Sequence, residues 1–138
     1  MKCLLPTGIF VCFNLSRMKG FYTVGLLIVS NVFMTLAWYG HLKFKDWGWL
    51  TKAGLFLIIL ISWGLAFFEY CFQVPANKIG FKENGGPFSL FQLKVIQEVV
   101  TLTIFVLFAR VFFSGEHLTY NHGIAALLLV GAVWFAFR

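Results

Sequence analysis

The sequence predicts an all-α fold, an integral membrane bundle of four transmembrane helices, and three observations predict it. Mean hydropathy is +0.86. Only 12% of the residues are charged, about half the roughly 25% of an ordinary soluble domain. A chain of 138 residues has too little interior to hide that much apolar surface from water. Four of its segments reach the about 20 apolar residues that a helix needs to cross hydrocarbon.

The first helix is expected over about residues 21–42. Trp38 and Tyr39 near its end, with Trp47 and Trp49 just beyond, suit an interfacial aromatic belt, and Lys43, Lys45 and Lys52 occupy the polar loop beside it. The second helix is expected over 55–74, with Pro75 as its stop, because proline lacks the backbone donor and restricts the residue before it. Asn84-Gly85-Gly86-Pro87 then turns the chain into a third helix over 88–113. The fourth runs over 119–137 and carries small residues, Ala132 and Ala136 among them, that suit close packing or dimerisation. Loops this short leave one domain, 18–138, with no linker.

Residues 1–17 stand apart as an N-terminal extension. They have a charged start and a short apolar stretch without a small-residue cleavage site, interrupted by Pro6 and Asn14. Translation from Met18 and a peripheral arm are both open readings. Four spans put both termini on the side of the middle loop. That side holds Lys2, Arg17, Lys19, Lys78, Lys82, Lys94 and Arg138, and the other holds Lys43, Lys45, Lys52 and Arg110. The excess favours termini inside, weakly enough to leave dual topology open.

Composition also narrows function. The net charge of +6 sits between apolar segments rather than in a basic, aromatic-interleaved run, so nucleic acid is not the expected partner. Cys3, Cys12 and Cys71 form no CxxC pair, and His117 and His122 are five residues apart, on different helix faces. No metal site or cofactor is expected, and no nucleophile–base pair suggests an enzyme.

Glu69 and Glu98 are the informative residues. They lie inside the second and third apolar segments of a chain with only 5 acidic residues. A carboxylate at bilayer depth is expensive and persists where it faces a bundle interior, a cavity or a partner. Ser62, Ala66, Glu69 and Gln73, spaced 4, 3 and 4, share one face of the second helix. Lys94, Glu98 and Thr101 share a face of the third, with Gln97 beside them, and Asn31 with Thr35 does the same on the first. Turning the three polar lines toward one interior makes either a ligand cavity or a hydrogen-bonded seam. Desolvation favours the protonated form of a carboxylate, so a buried glutamate can hold a proton or exchange it for a cation. Glu69 is the first candidate for substrate or proton coupling and Glu98 the second. Asn31, Thr35, Ser62, Gln73, Lys94, Gln97 and Thr101 are the expected polar lining. Structural readings stand beside these: a protonated Glu69 bonding a neighbouring helix, and a local Lys94–Glu98 pair.

The stretches SNVFMTLAWYGHLKF, WGLAFFEYCFQVPANKIG and GGPFSLFQLKVIQE resemble an uncharacterised bacterial family of four-helix membrane proteins, a domain of unknown function in the drug/metabolite transporter (DMT) superfamily. The resemblance spans Met18 to Phe137. It implies a multi-pass protein of the bacterial inner membrane. More distantly, the chain is similar to the small multidrug resistance transporters, four-helix proteins that act as antiparallel dimers. Their first-helix glutamate falls at Asn31 here and the following glycine at Met34. Asparagine does not exchange protons, so any coupling must have moved to Glu69 or Glu98. Together these observations lead to the expectation of a homodimeric, proton-coupled exporter of a small cationic or amphipathic solute. The competing expectation is a non-transporting assembly or regulatory subunit that docks a larger membrane partner.

Overall fold

A computed structural model describes residues 6–43, 54–113 and 119–138, with backbone alone for 6–14 and 136. Trp47, Trp49, Lys45, Lys52 and His117 lie outside the described residues. Four helices follow in order: α1 (Pro6–Lys43), α2 (Leu55–Gly80), α3 (Leu90–Phe112) and α4 (Tyr120–Ala136). A single 3-10 turn, Lys82–Asn84, lies between α2 and α3. Among the described residues there is no strand, so the protein is an all-α integral membrane bundle.

Among the described residues three helices are long and apolar enough to cross a membrane: residues Leu15–Lys43 of α1, all of α2 and all of α3. The fourth is shorter than its expected span. Its 17 residues cover about 25 Å, less than the hydrocarbon thickness of about 30 Å.

The bundle is centred on α1. In its apolar window 44% of the residues are buried, against 6% in α2 and in α3. Both α2 and α3 pack on α1, and α4 touches α3. Phe137, just past α4, adds an edge-on ring contact with Phe88. Among the buried positions of α1, Thr23, Leu27, Ser30, Met34 and Ala37 repeat at spacings of 4, 3, 4 and 3, with Asn31 and Thr35 buried beside them. That is the narrow stripe by which one helix packs along another. The stripe is partly polar because the outer surface meets hydrocarbon: hydroxyls and amides turn inward while Phe56, Trp63, Leu127 and Phe135 stay exposed.

Pro75 does not end α2, contrary to the sequence expectation. The helix runs on to Gly80 with Pro75 inside it. Its last turns hold Ala76, fully buried, and Gly80, which lies against Thr23 of α1 and Leu93 of α3. A proline costs one backbone hydrogen bond. Unwinding the helix here would break several more and would also undo this packing.

The connection from α2 to α3 is a built corner. Phe88 N–H donates to the Gly80 carbonyl at 2.9 Å, Lys82 N–H to Phe88 at 2.8 Å and Gly86 N–H to Phe81 at 2.9 Å. Gly85 takes φ +75°, a left-handed conformation that glycine adopts without strain. Lys19 of α1 donates to its carbonyl at 2.9 Å. Ser89 then caps α3 reciprocally with Gln92: Gln92 N–H donates to Ser89 Oγ at 3.3 Å, and Ser89 N–H to Gln92 Oε1 at 3.0 Å. The S-x-x-Q pattern signals this start, which delays α3 by two residues from the expected Phe88.

Candidate functional site

Glu69 is 92% shielded from solvent on a helix whose surface is otherwise largely uncovered, its own exposure being 8%. The expected stripe of Ser62, Ala66, Glu69 and Gln73 continues through Pro75 to Ala76 and Gly80 at the same 3 and 4 spacings. This is the face that meets α1. Gly80 approaches Thr23, and Ser30 Oγ donates to Gln73 Oε1 at a long 3.4 Å. The rings of Phe68 and Phe72 stack on Phe33 with centroids 5.9 and 5.7 Å away. This antiparallel register sets Glu69 level with Met34, within a turn of Asn31 and Thr35.

The α1 side of the site is satisfied internally. Asn31 Nδ2 donates to the Leu27 carbonyl at 2.7 Å, and Thr35 Oγ1 to the Asn31 carbonyl at 2.8 Å. Thr101 of α3 donates through Oγ1 to Asn31 Oδ1 at 2.6 Å, and its hydroxyl also lies 2.8 Å from the carbonyl of Gln97. Asn31 therefore ties α1 to α3, a structural use of the amide. By contrast, among the described residues Glu69 has no hydrogen-bond or ion-pair partner. Its remaining exposure includes the carboxylate, since among the described residues no fully buried side-chain oxygen lacks a partner; at bilayer depth such a group is costly while charged.

Glu98 is in a different setting. Its side chain is 48% exposed and pairs with Lys94 one turn earlier, itself 66% exposed. Because α1 and α3 run parallel with Asn31 opposite Thr101, Glu98 lies level with Ile28. That is about 9 Å along the axis from the level of Glu69. The geometry gathers Glu69, Gln73, Ser30, Asn31, Thr35 and Thr101 around α1, and leaves Lys94 and Glu98 on the outer flank of α3. Ser62 and Gln97 are half-buried at the edges. Among the described residues no cluster of three or more His, Cys, Asp or Glu could hold a metal ion.

Thr23 and Ser30, both fully buried, were not among the residues singled out from sequence. Their signal was the 4-and-3 repeat through Leu27, Met34 and Ala37, masked because those three members are apolar. The Asn31–Thr101 tie yields a measurable effect. Thr101→Val should lower stability by about 1 kcal/mol, the scale of an interhelical hydrogen bond in membranes. Thr101→Ser should restore it. Thr103→Val should change little, since that exposed hydroxyl bonds only the Val99 carbonyl of its own helix. Thermal unfolding in detergent compares the three.

No curated protein and no solved structure matches this chain. A family model does, over residues 23–137, and its description is "Putative member of DMT superfamily (DUF486)". Apolar helices and this match together identify a multi-pass, transporter-like membrane protein. With most of its length covered, the chain belongs to the DMT_6 family.

Proposed function

We propose that this protein is a proton-coupled exporter of small cationic or amphipathic solutes, working as a homodimer in the bacterial inner membrane, with Glu69 as the group that holds proton and solute in turn. The observation that carries this reading is a glutamate near the middle of α2, 8% exposed, whose carboxylate has no hydrogen-bond or ion-pair partner among the described residues and keeps an opening to the surroundings. A carboxylate used only to fasten helices together would be expected to have found its partner. Phe68, Phe72 and Phe33 beside it offer aromatic surface suited to an organic cation. A second copy supplies the remaining walls, because one chain leaves α2 and α3 largely uncovered; paired units rocking about a midplane site are a common transporter design. Glu98, neutralised by Lys94, is given the secondary role.

The test is solute-driven proton release. Purified protein goes into liposomes loaded with a pH-sensitive dye, and a panel of quaternary ammonium and amphipathic amine solutes is presented under a pH gradient. At least one solute should dissipate the gradient faster than in protein-free vesicles. If none does, and the protein purifies in mild detergent with a stoichiometric foreign subunit, the docking-subunit reading replaces this one.

A further inference from the structure

We propose that the groove between the C-terminal end of α2 and the first turns of α3 binds the headgroup of an anionic phospholipid. The groove has a volume of about 530 Å³. Asn77 and Lys78 line it from α2, Lys94 and Gln97 from α3, and Phe81 and Asn84 come from the turn that joins them. Two lysines and two half-buried carboxamides border a groove whose lining is otherwise largely apolar, a combination suited to a phosphate headgroup that carries acyl chains. Lys94 also pairs with Glu98, but an ammonium has three hydrogens to donate, so the pairing leaves capacity for a second anion.

The site is built rather than improvised. Asn84 Nδ2 donates to the Lys78 carbonyl at 3.2 Å, and the hydrogen bonds of the corner fix Phe81 relative to Gly80 and Gly86. The ligand therefore meets a preformed groove and little ordering entropy opposes it.

Charge and setting point to a lipid as the occupant. Lys19 is joined to this corner through Gly85, Lys82 lies on the turn, and Arg138 follows Phe137, which touches Phe88. Glu83 and Glu98 are the acidic residues nearby. Basic grooves between helices at a membrane boundary attract anionic headgroups. Leu90 and Phe91, on the same groove, are 67% and 82% exposed. These apolar side chains beside the lysines offer a surface for acyl chains that a free anion would not use. The proposal is independent of Glu69.

Native mass spectrometry of the protein released from detergent tests it, with phosphatidylglycerol and phosphatidylcholine of matched chains offered in equal amounts. The wild type should retain phosphatidylglycerol over phosphatidylcholine by about fivefold or more, the scale expected for one or two lysines at an anionic headgroup. Lys78→Gln/Lys94→Gln should bring retention to parity, and Lys78→Arg/Lys94→Arg should keep the preference. Lys43→Gln, at the other end of α1, should keep it too. Equal retention of the two lipids by the wild type overturns the proposal, as does a preference that survives in the glutamine variant. Displacement of the lipid by inorganic phosphate alone overturns the lipid as occupant. Should the glutamine variant not fold, the wild type still decides: a preference unmoved by high salt is not electrostatic and sinks the idea.

Discussion

Glu69→Gln should reduce solute-driven proton flux to the leak of protein-free vesicles while leaving insertion, elution profile and thermal midpoint in detergent unchanged. Glutamine fills nearly the same volume at a residue that is 8% exposed, so packing against α1 is kept. What it removes is the ability to bind and release a proton. The sign of the pH dependence follows. In a single-site exchanger, proton and cation compete for one carboxylate, so acid on the solute-binding side weakens apparent cation affinity, and acid on the opposite side speeds turnover by displacing the cation. Both effects should be present in the wild type and absent in Glu69→Gln. Glu69→Asp keeps the charge on a shorter side chain and should retain part of the flux. Glu98→Gln should have a smaller effect, because that carboxylate is exposed and paired with Lys94. Wild-type pH dependence in Glu69→Gln would remove Glu69 from the mechanism.

The largest structural effect is expected from Gly86→Ala. A Cβ at Gly86 would overlap the carbonyl carbon and oxygen of Gly80 and the Ile79 carbonyl oxygen, far inside van der Waals contact. These are backbone atoms of the last turn of α2, which cannot rotate away as a side chain would. Relief requires opening the corner, which breaks the Phe88–Gly80 and Gly86–Phe81 hydrogen bonds. The loss should reach or exceed about 3 kcal/mol, the upper range of overpacking. Gly85→Ala meets strain of another kind, a left-handed φ of +75°, and should cost about 1–2 kcal/mol. Gly64→Ala in mid-α2 meets nothing within 4 Å and should stabilise by about 0.5–1 kcal/mol. Thermal midpoints in one detergent should rank the three in that order, and a Gly86→Ala protein as stable as wild type would refute the account of the corner.

Much of this architecture is written locally. Apolar runs of hydrocarbon length announce α2 and α3, because in a bilayer each helix satisfies its own backbone and needs little from its neighbours. The polar face of α2 was legible for the same reason: Ser62, Glu69 and Gln73 stand out against leucine, isoleucine and phenylalanine. The lines on α1 and α3 were equally visible at Asn31, Thr35 and Thr101. Their partners were not, since a 4-and-3 spacing tells which residues share a face and not which helix the face meets.

The sequence by itself determined the all-helical membrane class, the polar faces and the family. Tertiary structure alone decided that α1 is the central helix, that Asn31 closes on Thr101, and that Glu69 is largely covered while Glu98 stays with Lys94 outside. It also decided that α2 continues past Pro75. There, local chemistry disfavours the helix by a single missing hydrogen bond, whereas the contacts of Ala76 and Gly80 with other helices favour it. Helix formation within a bilayer depends on residues a few positions apart. Which faces come together depends on the fit of residues some 50 to 70 positions apart, such as Thr23 with Gly80 and Asn31 with Thr101.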